Sequence, residues 1–421
     1  MSCNLGIKPG LQIISRLLQL MGNPHSKLKC VHIAGTNGKG STSLMLANIL
    51  MNAGYRVGRF NSPHLHSYFE RFTINNQEID GQRFQSYLDQ IDGIIRVMKG
   101  EGLRHPTEFE ILTAIAFKYF KDEQVDIAVL EVGMGGIYDS TNVVIPEVAV
   151  ITGIDFDHMN FLGHTLEEIA WNKAGIIKEN VPVVCGCMED RAMQVIKKIA
   201  REKKAELKTS AEIEIKRTAG PDLNGQTVDI QSNFLNLKQV RFSLLGDYQL
   251  KNLATVLVCV ETLQQKGYQI KVGDITRALS NLRMPGRLEI IKENPLVIGD
   301  VGHNPQAARA LAESLHNLLP QRNKILVCGV VDDKDISNTI ISWGENTRAC
   351  IITRPEGYRN QNWLRVKDEW NRNFLNRKVY VKEDIIEAVK TGLALLEADE
   401  YMVVTGSFYV LNQARKYLIN S

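Results

Sequence analysis

The sequence predicts an α/β protein of two domains, and three observations carry that prediction. The runs VDIAVLE (Val125 to Glu131) and EVAVITGI (Glu147 to Ile154) are continuously apolar, as in parallel strands covered on both faces. Helix-like segments alternate with such runs, the pattern of a wound sheet. At 421 residues, the chain is also too long for one ordinary core.

The first strand is expected at Lys29 to Ala34. A Gly-rich turn follows, then a helix over 41–53, in which Leu44, Ala47 and Met51 share a face and Gly54 supplies the stop. Tyr55 to Phe60 reads as the next strand and Phe109 to Phe120 as a helix. Between about Glu212 and Leu245 the pattern changes. EIEIKR, QTVDIQ and VRFSLL alternate apolar with polar residues, and Gly220-Pro221 and Asn224-Gly225 mark turns, which predicts an antiparallel β insertion. A helix is expected from about Gln249 to Gln265. Met284-Pro285-Gly286-Arg287 reads as a joint. Beyond it the rhythm restarts with PLVIGD, a helix near Pro305 to Leu318, KILVCGV, ACIITR, KVYV, a helix near Asp384 to Leu396, YMVVTGS and a last helix. The expected domains are therefore 1–285 and 286–421.

Composition narrows the function classes. Hydrophobic residues make up 44% and charged residues 23%, an ordinary globular balance. A net charge of +3 gives no general argument for nucleic-acid or membrane binding. The seven cysteines are odd in number and lie mostly in apolar runs, which fits reduced thiols in the cytoplasm. Cys185-Gly-Cys187 has no second Cys or His pair to complete a closed zinc site. No apolar leader opens the chain, and no apolar run reaches the roughly 20 residues of a membrane span. The expected location is the cytoplasm, and the expected state a monomer.

The strongest local signal is Gly35-Thr36-Asn37-Gly38-Lys39-Gly40-Ser41, between a strand and a helix. Phosphate oxygens need many donors and a backbone that approaches closely. Glycines allow the approach, backbone N–H groups and the helix start supply donors, and Lys39 supplies charge. The segment departs from the strict G-x-x-x-x-G-K-[ST] pattern. Ile33 stands at the first Gly position, and Gly40 separates Lys39 from Ser41. The first domain is therefore read as a P-loop-type mononucleotide-binding domain with its antiparallel β insertion, and the second as a smaller Rossmann-like α/β domain.

Other residues are less decisive alone. Glu131 ends an apolar strand, where open α/β sheets place ligand contacts, although a surface or N-cap Glu is as common there. His158 follows another such strand and reads equally well as a structural His. Lys173 reads as a surface Lys or a phosphate-binding cation.

Taken together the motifs are far more specific. The chain carries IKPGLQ (Ile7 to Gln12), GNPH (Gly22 to His25), GTNGKGS, NSPHL (Asn61 to Leu65) and ERF (Glu70 to Phe72). They are followed by TEFE (Thr107 to Glu110), EVGMGG (Glu131 to Gly136), DFDHMNFLG (Asp155 to Gly163), NKAGIIK (Asn172 to Lys178), PGRLE (Pro285 to Glu289) and GDVGHNP (Gly299 to Pro305). In order and spacing this resembles the folylpolyglutamate synthase/dihydrofolate synthase branch of the Mur ligase superfamily over nearly the whole length. The resemblance implies an ATP- and magnesium-dependent ligase. It phosphorylates a folate or dihydropteroate carboxylate and couples the acyl phosphate to L-glutamate, with ATP held in the cleft between the domains.

The resemblance also implies residue roles. Lys39, Glu131, His158 and Lys173 form the catalytic set, with Ser62, Glu131 and His158 on magnesium and Lys173 as the family's carbamylated lysine. Nucleotide is bound by Gly35 through Ser41, Asn252 at the adenine, and Arg287, Asp300 and His303. The acceptor falls to Lys8, Pro9, Gly10 and Leu11, to Thr107, Glu108, Phe109 and Glu110, and to Tyr138, Asp139 and Ser140. Departures cluster around that acceptor site. The family's GGRLDATN reads GGIYDSTN, so Ile137 replaces an Arg; Tyr248 replaces a common His; GDVGHNP differs from DGAHNP; and the chain begins only six residues before IKPG. These departures leave two alternatives: a related ligase acting on another carboxylate, and a nucleotide-binding regulator without ligase activity.

Overall fold

A computed structural model describes residues 10–186, 189–332, 335–357 and 360–421. Lys8, Pro9, Cys3 and Cys187 lie outside the described residues. The chain divides into two compact units. The first comprises residues 1–215, 230–238 and 251–282, the second residues 216–229, 239–250 and 283–421.

The first unit opens with α1 (Gln12–Leu20), β1 (Cys30–Ala34), α2 (Lys39–Asn52), β2 (Val57–Phe60), β3 (Phe72–Ile74) and β4 (Gln77–Glu78). It continues through α3 (Gly81–Gly100), α4 (Glu108–Asp122), β5 (Ile127–Glu131), β6 (Val148–Ile151), α5 (Met159–Leu162), α6 (Leu166–Ala174), β7 (Val183–Cys185), α7 (Asp190–Glu202) and β8 (Leu207–Thr209). Its eight strands form one sheet in the order β4-β3-β2-β5-β1-β6-β7-β8. The strands from β2 to β8 run parallel, while β3 and β4 close one edge as antiparallel neighbours. Asn75 and Asn76 turn that edge with φ of 49° and 61°, the left-handed pair that a two-residue hairpin requires.

Both faces of this sheet are covered, which explains the uninterrupted apolar runs. Ile127 through Leu130 and Val148 through Ile151 are completely buried. One core joins α1, α3 and α4 to Phe60, Phe72 and Leu130. Another joins α6 and α7 to Ala149, Ile151 and Val183.

The next elements are β9 (Glu214–Arg217), β10 (Gln226–Gln231) and β11 (Asn236–Phe242), a three-stranded sheet in the order β11-β10-β9, and then α8 (Asp247–Gln265) and α9 (Val272–Ser280). The second unit contains β12 (Glu289–Glu293), β13 (Leu296–Gly299), α10 (Pro305–Leu318), β14 (Lys324–Cys328), α11 (Ile336–Gly344) and β15 (Thr347–Ile352). It ends with α12 (Arg365–Asn373), β16 (Lys378–Val381), α13 (Ile385–Leu395), β17 (Tyr401–Thr405) and α14 (Phe408–Asn420). Its six strands are ordered β12-β13-β17-β14-β15-β16, all parallel except β12 at the edge. Trp343, Trp370 and Tyr401 are the largest side chains in its core.

Sheet order positions the site. β1 lies between β5 and β6, with Ile33 opposite Glu131 and Ala34 opposite Ile151. The loops leaving the C-terminal ends of these three parallel strands therefore meet at one edge of the sheet, where open α/β folds bind ligands.

Candidate active site

The Gly-rich loop is built from backbone that only glycine tolerates. Gly38 has φ +87°, and a Cβ there would lie 2.3 Å from Asn252 Oδ1. A Cβ on Gly35 would lie 1.9 Å from Thr152 Oγ1. Gly38 leads directly into α2, so the helix starts at Lys39, two residues before the expected start. No side chain caps this helix start, and a helix N-terminus is a place where anions bind.

The loop after β6 holds this turn from the side. Thr36 N–H donates to Gly153 O at 2.7 Å, Thr36 Oγ1 to Asp155 O at 3.0 Å, and Thr152 Oγ1 to Asn37 O at 2.7 Å. Two lysines close it from within. Lys39 Nζ donates to the carbonyls of Gly35 and Thr36 at 3.1 and 3.2 Å, and Lys173 Nζ to that of Gly35 at 2.8 Å.

Lys173 reaches the loop from the last turn of α6, and only 4% of it is exposed. Burial and the nearby charge of Lys39 push its pKa down to about 7, while Asp157 and Asp139 oppose the shift. It is not a surface lysine. Its placement depends on close packing, since a Cβ on Gly136 would lie 2.6 and 2.7 Å from the carbonyl oxygens of Asn172 and Lys173.

Glu131 ends β5 with 4% exposure, and Ser62 N–H approaches its Oε2 at 3.4 Å. His158 follows β6 in left-handed backbone, φ 50° and ψ 37°. Its N–H donates to Asp157 Oδ1 at 2.8 Å, and its Nε2 is 4.0 Å from the same oxygen. Among the described residues, no group of three or more His, Cys, Asp or Glu forms a closed metal cage. A carboxylate, a hydroxyl and one imidazole, the donors expected of Glu131, Ser62 and His158, would together make an open set. That chemistry suits a hard divalent ion whose remaining ligands are water and phosphate oxygens.

The residues expected at the acceptor divide between inward and outward positions. Thr107 and Glu110 cap α4. Glu110 Oε2 accepts Thr107 N–H at 2.6 Å, Thr107 Oγ1 accepts Glu110 N–H at 3.2 Å, and Arg104 grips the Glu110 carboxylate at 2.8 and 2.9 Å. Glu108 accepts from Tyr68 Oη at 3.1 Å, and the Phe109 ring abuts Gly133, which follows β5. Leu11 starts α1 and packs on the first core, next to Gly10 with φ +127°.

Tyr138 is 53% exposed, whereas Asp139 and Ser140 are buried. Asp139 accepts from Met134 N–H at 3.0 Å and from Thr141 N–H and Oγ1 at 3.0 and 2.5 Å. Burial nevertheless raises its pKa. Because the Thr141 hydroxyl is already donating, it accepts from His32 Nε2 at 2.8 Å. Burial keeps His32 neutral by pushing its pKa down to about 3. Asp139 thus fixes the loop internally. Ile137 packs against Gly175, where a Cβ would lie 2.0 Å from Ile137 Cγ1.

Asn252, expected at the adenine, has its amide oxygen beside Gly38 of the phosphate loop. In the second unit Asp300 is buried and accepts from Leu288 and Gly302 N–H at 3.0 and 2.6 Å. Burial raises its pKa and the charge of Arg287 opposes the rise. The Arg287 guanidinium lies 5.7 Å over the Phe408 ring, and His303 Nδ1 is 3.0 Å from Val301 O. These three residues share one neighbourhood within that unit. Sequence patterns do not single out Thr152, Asp155, Asp157 or Arg59. The available signal for Arg59 was a lone cation in an apolar strand, VGRF.

A parallel sheet with a Gly-Lys loop at its central strand, a buried lysine on that loop and an adjacent carboxylate define a nucleotide-dependent ligase of the Mur type. Residues 33–260 match the Mur ligase middle domain, and residues 286–408 the Mur ligase glutamate ligase domain. The dihydrofolate synthase/folylpolyglutamate synthase of Bacillus subtilis is 33% identical over 420 residues, covering 98% of this chain and 96% of that protein. Escherichia coli FolC in complex with DHPP and ADP superposes with a TM-score of 0.88 at 29% identity, covering 99% of this chain and 94% of that one. The Yersinia pestis bifunctional folylpolyglutamate synthase/dihydrofolate synthase, complexed with AMPPNP and Mn ion, gives a TM-score of 0.85 at 29% identity, covering 99% and 95%. The chain belongs to the folylpolyglutamate synthase/dihydrofolate synthase family of Mur-type ligases.

Proposed function

We propose that this protein uses ATP and Mg2+ to join L-glutamate to the carboxylate of a folate-type acceptor, dihydropteroate or a folylglutamate, through an acyl phosphate. The convergence of Lys39 and Lys173 on Gly35, at the edge that also carries Glu131, is the observation that supports this most. A free carboxylate is a poor electrophile, and phosphorylation gives it a leaving group. In phosphoryl transfer, charge moves among phosphoryl oxygens, so catalysis is mainly positioning and electrostatic stabilisation.

The chain's own groups divide that work. Backbone N–H groups of 38–41 and the Lys39 ammonium bind the phosphates, releasing Lys39 from its loop carbonyls. Ser62, Glu131 and His158 hold Mg2+, which supplies Lewis-acid charge at the transferring phosphoryl group. Lys173, neutral in a large fraction at physiological pH, is competent to take up carbon dioxide as a carbamate, whose oxygens then accept where an ammonium could only donate. Arg287, Asp300 and His303 are assigned to nucleotide binding, as is Asn252, which lies beside the phosphate loop. Tyr138, Glu108 and Phe109 contact the acceptor. Asp139, Thr107 and Glu110 shape its site from behind. Lys8, Pro9, Gly10, Leu11 and Ser140 complete the acceptor assignment. The protein acts as a cytoplasmic monomer. Among the described residues no helix is long and apolar enough to cross a membrane.

Incubation with ATP, Mg2+ and L-glutamate, with dihydropteroate and a reduced folate supplied separately, tests the proposal. Mass spectrometry should detect addition of one glutamyl residue to at least one of them, with matching phosphate release. Phosphate release without a glutamylated product from either acceptor contradicts the folate reading and moves the site to another acid.

A further inference from the structure

Arg59 is the one charged residue of β2. It pairs with Val129 of β5 on one side and Thr73 of β3 on the other. Paired residues in a sheet project to the same face, as do residues two apart along a strand. Arg59, Asn61, Thr73 and Glu131 therefore share a face, the one opposite Phe60, Phe72 and Leu130.

That face is polar and incompletely satisfied. Arg59 Nε, Asn61 Oδ1 and Thr73 Oγ1 are all buried without a hydrogen-bond partner. The charges of Glu131 and Glu70 act on the guanidinium, yet its Nε is bonded to neither. Glu70 instead accepts the N–H groups of Leu65, His66 and Ser67 at 2.8, 2.7 and 2.8 Å. A buried guanidinium left short of a partner is expensive. A Val, Ile or Leu would suit this strand better if packing were its only task.

We infer that Arg59 is a positioning residue that offsets the charge of Glu131, so that the site takes up a divalent cation together with nucleotide phosphate in preference to a free ion. The inference rests on the reading of Ser62, Glu131 and His158 as the metal-binding set. Arginine cannot lose its proton in a protein, so the repulsion toward a doubly charged ion is permanent. At the screening of a partly exposed site it weakens binding of a free divalent ion roughly tenfold. Nucleotide phosphates reverse the balance, because their negative charge meets both the ion and the guanidinium.

Equilibrium titration of the full chain with Mn2+, read by electron paramagnetic resonance with and without ADP, tests this. Arg59→Met should bind free Mn2+ about tenfold more tightly than the native protein, and the tightening of Mn2+ binding by ADP should shrink about tenfold. Arg59→Lys, which keeps the charge, should behave as native. Arg59→Gln reads the same way as Arg59→Met if the latter fails to fold. Unchanged or weaker free-Mn2+ binding in the uncharged variants, with Glu131→Gln abolishing Mn2+ binding, overturns the inference alone. Native Mn2+ binding in Glu131→Gln overturns the metal-site reading beneath it, and the inference with it.

Discussion

Lys39 and Lys173 donate to a single acceptor, the carbonyl oxygen of Gly35, at 3.1 and 2.8 Å. Two ammonium groups on one oxygen repel each other, and the buried partner yields. Burial is the larger cause of the shift that brings the Lys173 pKa to about 7, and Lys39 is the second. A neighbouring cation disfavours the protonated form, so its removal must raise the pKa.

The pH dependence follows in sign. Lys173 is mainly protonated below about pH 7 and mainly neutral above it. Carbamate forms from the neutral amine, so the carbon-13 NMR signal from labelled bicarbonate should grow as pH rises through 7 and fade at about pH 6. In Lys39→Met the midpoint should move upward. A downward shift, or none, contradicts the coupling between the two lysines.

Glu131→Gln preserves shape and removes charge at the end of β5. Turnover should fall by about 10²–10³-fold, the usual loss when a preorganised charge at a transferring group is removed. The melting temperature should also fall, because the buried Arg59 guanidinium loses the carboxylate charge that offsets it, although the amide fills the same volume and its oxygen can still accept from Ser62 N–H. Calorimetry and a phosphate-release assay separate the two effects.

Two glycines flanking α2 provide an internal control. Gly38 and Gly54 both have positive φ, +87° and +92°, but only Gly38 has a neighbour that a Cβ would strike. Either substitution by Ala should cost about 1–2 kcal/mol through the left-handed backbone. Gly38→Ala should also displace Asn252 and weaken ADP binding by at least about tenfold, whereas Gly54→Ala should leave ADP affinity unchanged. Isothermal titration calorimetry with ADP makes the comparison.

The chain Asp139–Thr141–His32 depends on one hydroxyl. Thr141→Val should leave a buried carboxylate and a buried imidazole N–H short of partners and cost about 1–3 kcal/mol. Since Asp139 also holds Met134 N–H, the acceptor KM should rise while nucleotide affinity stays near native. Thr141→Ser should recover most of both, as thermal unfolding and steady-state kinetics would show.

Much of the fold was legible because burial on both sheet faces leaves an unmistakable trace, as in VDIAVLE and KILVCGV. The phosphate loop was legible because its chemistry is local. Other features required topology. Glu131 and Gly35 meet only through the order β5-β1-β6, and the depth of Lys173 is set by how α6 packs on Gly136. The T-x-x-E spacing of Thr107 and Glu110 was that of a capping box, which they form at the start of α4. Asn75-Asn76 between FTI and QE was a hairpin signal of the same local kind. Arg59 was visible as an anomaly, but its proximity to Glu131 depends on strand register. The segments 216–229 and 239–250 group with the second unit through contacts remote in sequence, which no local pattern encodes.

The most direct test of the ligase mechanism follows the acceptor's own oxygen. With a folate-type acceptor whose reacting carboxylate carries oxygen-18, an acyl phosphate requires that one labelled oxygen leave with phosphate as the amide forms. With both carboxylate oxygens labelled, mass spectrometry of the released phosphate should therefore show one oxygen-18 for the first glutamyl residue added to each acceptor. Glutamylated product accompanied by unlabelled phosphate would contradict the acyl-phosphate route, and with it the catalytic roles of Lys39, Glu131 and Lys173.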